Sequence, residues 1–452
     1  METTAQVKSS RGMRTFFTIW IGQLVSLLGS QLTGFALGVW VYDQTHSVSM
    51  LAFVQVAIQA PFVLLSPLAG VFADRWNRRT AMIVSDAGAG LAVLVAGVLF
   101  LTHHLQPWMV IPIVLWMSSF QTLMWPSLTA ATTLLVPKEH YGRASAFTQL
   151  GEALPAIAGP ALAGILYATI QLGKMALIDF GSYVFAVVLM LLLVRIPNPV
   201  VTAQEARGKS SLWKEMRFGW DYIVARQGLL ALLIFFMAIN FLTGVIGPLI
   251  TPLVLDNWNP GTLGFLSTLM GVGMLTGTLV MSAWGGSKRK IFTLIGSGLL
   301  MGVFLVAVGL RVNLPLLAVC GFGVMFCSPF MNASSQAIWQ AKVAPDLQGR
   351  VFAIRRAIAW SAGIIAPLLA APLTDYLFKP AMSAGGLLAP VLGPIFGVGS
   401  SRGVGVVISL VGVLTVASAL IAWNVRRLRH VELDLPDHDQ AMQAASETQL
   451  TE

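Results

Sequence analysis

The sequence predicts an all-α integral membrane protein with twelve transmembrane helices in two six-helix halves. Three observations lead there: an apolar composition, twelve apolar runs of spanning length, and a repeat that maps one half onto the other. Of 452 residues, 56% are hydrophobic and only 10% are charged. Soluble domains carry about 25% charged residues. So much apolar surface has no place in a water-soluble core of this size, and a bilayer is its natural solvent.

A span needs about 20 mostly apolar residues. Runs of this kind cover 16–41, 50–72, 81–102, 108–132, 144–169, 175–195, 229–254, 262–284, 291–310, 314–340, 351–375 and 404–425. The first, from Phe16 to Val41, is too long for a signal-peptide core and lacks a cleavage pattern. With the N-terminus inside, only Lys174, Arg311, Lys379 and Arg402 of the 28 Lys and Arg fall on outer segments. That bias puts both termini in the cytoplasm. Residues 1–196 are the expected N-terminal bundle, 197–227 a polar linker, and 228–429 the C-terminal bundle. Residues 430–452 are an acidic tail expected to be disordered, and 377–402 a Gly/Pro-rich loop. In the linker, Leu212, Met216, Gly219 and Ile223 recur at helical spacing, flanked by Lys209, Lys214, Arg217 and Arg226. This pattern fits an amphipathic helix on the cytoplasmic leaflet, or alternatively a soluble loop helix.

Several function classes drop out. The net charge of +9 is scattered in short clusters between apolar runs, not gathered on one face, which excludes a nucleic-acid surface. Cys320 and Cys327, seven residues apart on one helix, are roughly 10 Å apart and cannot bridge. The six histidines lie in or near loops and tails, so no metal site is expected. No Gly-x-x-x-x-Gly-Lys-Ser/Thr run occurs, which argues against a self-contained ATP-driven pump. Gly271, Gly273 and Gly277 lie inside an apolar span and read as packing. No cofactor and no enzymatic activity are expected.

Val136, Glu139, Gly142, Arg143 and Ala146 line up with Val343, Asp346, Gly349, Arg350 and Ala353, at one offset of 207. The same offset takes Pro160 to Pro367 and Leu162 to Leu369. The fourth and fifth spans therefore repeat as the tenth and eleventh. Two such halves are a transporter architecture, with the substrate path near the midplane.

The loop after the second span reads Gly70-Val71-Phe72-Ala73-Asp74-Arg75-Trp76-Asn77-Arg78-Arg79. It resembles the signature loop of the major facilitator superfamily, with Asn77 where many members have glycine. The resemblance implies a cytoplasmic latch. Asp74 faces the N-terminus of the eleventh helix, where helix dipole and free N–H groups favour an anion. Arg355 and Arg356 lie one to two turns inside that helix. They serve the latch, draw an anionic substrate, or snorkel to the surface. The C-half loop Gly285-Gly286-Ser287-Lys288-Arg289-Lys290 keeps the basic run but lacks the aspartate. Glu139 and Asp346 are candidates for the same charge network. In the fifth span, Gly159-Pro160-Ala161-Leu162-Ala163-Gly164 resembles the Gly-Pro motif of the superfamily's drug exporters. Pro155 stands in place of an earlier glycine, and Ala163 in place of a later one.

Among the 19 Asp and Glu, only Asp86, Glu152 and Asp179 fall well inside spans. An ionised carboxylate in hydrocarbon is costly, so such a group is neutral, paired or facing water. A carboxyl that can change charge there is what a proton carrier needs. Glu152 is the leading candidate, roughly 12 Å into its span at 1.5 Å per residue. Asp86 alternatively pairs with Arg78 or Arg79, and Asp179 with Lys174.

The stretch Trp20-Ile21-Gly22-Gln23, with Gly29-Ser30 and Trp40-Val41-Tyr42, joins Ser66-Pro67-Leu68-Ala69-Gly70 and Gly349-Arg350-Val351-Phe352. Together they resemble the branch of bacterial macrolide and enterobactin exporters. That implies a monomeric efflux antiporter of the bacterial plasma (inner) membrane, exchanging protons for an amphiphilic small molecule. The competing readings are a proton-coupled symporter importing a small solute and a non-transporting membrane sensor.

Overall fold

The computed structural model describes residues 2–65, 76–137, 140–194, 196 and 212–435, and among them every regular element is helical. The chain runs α1 (Glu2–Thr45), α2 (Val48–Leu64), α3 (Arg78–Leu101), α4 (Val110–Gln121), α5 (Met124–Leu135) and α6 (Tyr141–Leu193). It continues as α7 (Leu212–Ala225), α8 (Gln227–Leu255), α9 (Pro260–Trp284), α10 (Lys290–Leu310), α11 (Leu314–Lys342) and α12 (Pro345–Leu373). After a π-turn at Thr374–Phe378 come α13 (Lys379–Met382), α14 (Ala389–Phe396), α15 (Ser400–Asn424), α16 (Arg426–Arg429) and α17 (Val431–Asp434). Among the described residues, 10 stretches are long and apolar enough to cross a membrane. One is the 53-residue α6, which turns at Gln171 (φ 58°, ψ 173°) and so supplies two apolar segments. The 17-residue α2 is a further apolar helix. These segments follow the order expected from the sequence.

The chain divides into two compact units, residues 1–200 with 250–271 and residues 201–249 with 272–452. In the first, Leu32, Ala36 and Val41 of α1, Val93 and Ala96 of α3, and Met175 and Ala176 of α6 belong to one buried apolar group. Toward the basic end, Phe16, Ile19, Met82, Leu135 and Met190 form a second buried group. In the second unit, α10 lies against α15 at backbone distance. A Cβ on Gly302 would fall 2.8 Å from Val416 N, and one on Gly309 would meet Gly405 O and sit 2.7 Å from Ser409 N. Lipid tails give no hydrophobic drive between helices, so such small-residue contacts do the associating. Gly273 and Gly277 behave likewise against Phe322 and Phe326 of α11. Apolar side chains on the surface, such as Leu192 at 75% exposure, suit hydrocarbon and not water.

The internal repeat is visible in backbone detail. Both α5 and α11 end on a buried valine in extended conformation, Val136 and Val343. Each donates its N–H back four residues, to Thr132 O and Trp339 O.

Three expectations need correction. Part of the linker helix's apolar stripe, for which the leaflet was one of two expected settings, meets protein: Ile223 is fully buried, and Gly219 sits against Arg350 O of α12. Phe218, Trp220 and Val224 are left exposed. The Gly/Pro-rich segment 377–402 is largely helical, through α13 and α14. Residues 430–435 do not belong to a disordered tail, because Val431 is fully buried and Val431–Asp434 is helical.

Replacing Gly309 by leucine overfills the α10–α15 contact, at a cost of about 1–3 kcal/mol or more. Gly296 lies on the same helix with open space around it. Thermal unfolding in detergent is therefore expected to show a lower midpoint for Gly309→Leu than for Gly296→Leu. Equal midpoints would contradict the close approach.

Candidate functional site

Helix α1 carries Gln23, Ser26, Ser30 and Thr33 at spacings of three, four and three residues, which places them on one face. Gln23, Ser26 and Thr33 are buried. Burying polar groups is tolerable only when partners are supplied, and α3 supplies one to Gln23 and α6 one to Ser30. Gln23 Nε2 donates to Asp86 Oδ2 at 2.8 Å. Ser30 Oγ and Tyr183 Oη share a bond of 2.9 Å, and Gln121 Nε2 donates to the same Tyr183 oxygen at 2.7 Å. Asp179 is fully enclosed, and Ser182 Oγ donates to its main-chain oxygen at 2.7 Å. A Cβ on Gly29 would lie 2.6 Å from Asp179 Oδ1, so the missing side chain is what admits the carboxylate.

These contacts revise the expected charge pairs. Asp86 takes Gln23 as its partner, not Arg78 or Arg79. Arg79 instead reaches the end of α6, with Nε on Met190 O at 3.0 Å and Nη2 on Leu191 O at 2.6 Å. Asp179 is enclosed against α1, while Lys174 is exposed on α6. The Nε and Nη1 atoms of Arg78 are buried with no partner among the described residues.

The first half of α6 has two packed edges. On one, Gly151 meets Trp20 and Gly159 meets Gln31, whose Cβ would lie 2.5 Å from an added methyl. On the other, a Cβ on Gly164 would fall 2.9 Å from Pro260 O and 3.2 Å from Gly264 Cα, and Pro160 O faces Gly264. Thr268 Oγ1 donates to Ile157 O at 3.0 Å along this edge. The Gly159-Pro160 and Gly164 motif thus fits α1 on one side and α9 on the other. Between the edges, Ser145, Gln149, Glu152 and Ala156 form an exposed stripe. Glu152 is therefore open, not enclosed, unlike Asp86 and Asp179. At the far end of α1, Tyr42 Oη donates to Asp256 Oδ1 at 2.6 Å.

Arg355 and Arg356 diverge. Arg355 is half-buried, donates from Nη2 to Gln336 Oε1 at 3.0 Å, and lies 5.3 Å and 5.5 Å from the rings of Trp339 and Phe352. Its Nη1 is buried without a partner among the described residues. Arg356 is exposed. Gly70, Asp74, Arg75 and Glu139 lie outside the described residues, as does the side chain of Asp346.

Sequence reasoning did not find Tyr183, Gln121, Tyr42 or Asp256 as members of polar pairs, since no local pattern marks them. Gln23, Gly29 and Ser30 stand in the stretch that carried the resemblance, but their partners lie 63 to 153 residues away.

Comparison with known proteins gives a consistent picture. The sequence profile of the Major Facilitator Superfamily matches residues 19–253 and 241–381. The macrolide efflux protein A of Streptococcus pyogenes is 29% identical over 365 residues, 80% of this chain and 89% of that protein. The enterobactin exporter EntS of Shigella flexneri is 25% identical over 297 residues, 64% of this chain and 68% of that protein. Among solved structures, a bacterial homologue of the lysosomal transporter Spinster superimposes with a TM-score of 0.69 at 12% identity, covering 93% of this chain and 97% of that one. The nucleoside transporter NupG gives 0.66 at 11% identity, covering 91% and 100%.

Removing the Tyr183 hydroxyl leaves Gln121 and Ser30 without a shared partner. Tyr183→Phe is expected to lower stability by about 1 kcal/mol. Tyr167, whose hydroxyl bonds Asp43 only at 3.5 Å, is the control. Unfolding in detergent that affects both Phe variants equally would remove the special role of the Tyr183 hydroxyl.

Proposed function

Because the chain belongs to the Major Facilitator Superfamily, we propose that it is a secondary active efflux transporter of the bacterial plasma membrane. It exchanges protons for an amphiphilic small molecule of the drug, macrolide or siderophore kind, by alternating access, with both termini in the cytoplasm. The observation that carries this reading is the arrangement along α6. The Gly-Pro segment is closed on two sides by α1 and α9, while Glu152 stands on the open stripe between them. The relatives named for efflux support the direction of transport.

On this reading Glu152 carries the coupled proton. It takes a proton when open to the outside and releases it inside as substrate approaches, so one site serves both in turn. Each pH unit of gradient supplies about 1.4 kcal/mol per proton, enough for roughly tenfold accumulation. A potential of 100 mV adds about 2.3 kcal/mol per charge moved. Asp86 and Asp179, enclosed with Gln23 and Ser182, are further protonation candidates that substrate does not reach. The latch of Asp74 on the start of α12 belongs to the same proposal, on the strength of its loop motif.

Inside-out vesicles with an imposed proton gradient test the reading, with a panel of dyes, macrolides and siderophores as substrates. Accumulation is expected for at least one, and Glu152→Gln is expected to abolish its gradient dependence while the protein still inserts. Gradient-driven transport that survives Glu152→Gln unchanged would rule out the coupling role. Uptake confined to right-side-out vesicles would point to import, and transport in neither orientation to a sensor. Asp74→Asn is expected to raise labelling of inner-side cysteines; unaltered labelling would remove the latch.

A further inference from the structure

Each unit must satisfy the free N–H groups at the start of its third spanning helix. In the N-half this helix is α3. Asn77 caps it with its own side chain, accepting from Arg79 N at 3.0 Å. Arg79 then ties the start of α3 to the last carbonyls of α6, Met190 O and Leu191 O. In the C-half the corresponding helix is α10. Its N-cap residue, Arg289, supplies no side-chain bond, and the loop before it lacks the aspartate of its N-half counterpart.

The acid comes from elsewhere in the chain. Lys290 N donates to Glu432 Oε1 and Ile291 N to Glu432 Oε2, each at 3.0 Å. Glu432 sits on α17, just past α15, the last spanning helix of the C-half. Both halves thus tie the start of the third helix to the end of the sixth. The N-half does so with a guanidinium on carbonyls, the C-half with a carboxylate on amides.

Other contacts hold this segment in place. Leu428 and Val431 are buried. Gly228, at the start of α8, leaves room for them: a Cβ there would lie 2.9 Å from Val431 Cγ2 and 3.3 Å from Arg427 O. Lys342, the last residue of α11 and itself buried, donates from Nζ to Glu432 O at 2.7 Å and to Leu435 O. The main-chain oxygen of Lys342 accepts from Tyr222 Oη of the linker helix at 3.3 Å. Residues 425–435 therefore reach the ends of three spanning helices.

We infer that residues 425–435 are a strap, with Glu432 as its clasp, that binds the ends of α8, α10 and α11 so that the C-half moves as one piece. The carboxylate matches the positive end of the α10 dipole and fills two of its free N–H groups. Without it, the first amides of α10, Lys290 N and Ile291 N, have to find water. The α10 start then frays independently of its neighbours, and a swing of the C-half no longer transmits to all its helices.

Amide hydrogen exchange on the full chain in nanodiscs tests this. Glu432→Ala is expected to speed exchange at residues 290 and 291 roughly tenfold, the factor for one lost charged hydrogen bond. The start of α3 serves as the internal reference and is expected to stay unchanged. Asp434→Ala, at an exposed neighbour, and a chain ending at Leu435 are expected to behave as wild type. Should Glu432→Ala fail to accumulate, Glu432→Gln decides, since its single remaining acceptor predicts a smaller increase at the same amides. Exchange at 290 and 291 within twofold of wild type overturns the clasp. Faster exchange with undiminished substrate efflux overturns the mechanical role. If wild-type vesicles move no substrate, the transport reading fails on its own, and the exchange result still decides whether the strap exists.

Discussion

Hydrocarbon accepts no hydrogen bonds, and that constraint shapes every element of this chain. Main-chain groups within a bilayer must be satisfied internally, so each crossing segment is helical. The same constraint decides where polar side chains go. Gln23 pairs with Asp86, and Ser30 and Gln121 with Tyr183, inside the N-half, while apolar side chains such as Leu191 and Leu192 face out. Helices cannot be held together by the hydrophobic effect in such a solvent. Close backbone approach does the work at Gly302 and Gly309 of α10, at Gly273 and Gly277 of α9, and at Gly164 of α6.

Those two devices, small-residue contacts and enclosed polar pairs, divide the acids into two kinds. Asp86 and Asp179 are walled in, each carboxylate bound to a neutral side chain, Gln23 and Ser182. Glu152 lies between two packed edges of α6 and keeps its carboxylate open. A group that meets both a proton and a substrate has to be reachable by both, and exposure is the property that separates Glu152 from the other two. The Gly-Pro segment about two to three turns further along presses on Gln31 and on Gly264, so the surroundings of Glu152 depend on how tightly α6 packs.

The two halves repeat in sequence but solve one structural problem with opposite chemistry. The third helix of each half must be fastened near the basic loop. Arg79 fastens α3 by donating to α6 carbonyls. Glu432 fastens α10 by accepting from its amides. Because the carboxylate is borne on a segment beyond the last spanning helix, the C-half is incomplete without residues 425–435.

Composition, run length and the 207-residue repeat were enough to determine a polytopic helical protein in two related halves, because hydropathy and periodicity are local properties that survive without a partner. The signature loop and the Gly-Pro motif pointed to the superfamily for the same reason: they are short and contiguous. What only the tertiary structure decided is which way each side chain faces. A helical wheel fixes angles within one helix but not the neighbour it meets. Thus the depth of Glu152 in its span could be read, but not that its face of α6 is open. Asp86 was offered Arg78 or Arg79, and found Gln23 63 residues away. The stripe at Gly219 and Ile223 was open to the leaflet or to a soluble loop, and Gly219 meets Arg350 of α12. Glu432 looked like part of a solvated tail, since nothing near it in sequence announces that the amides of Lys290 and Ile291 lie within reach.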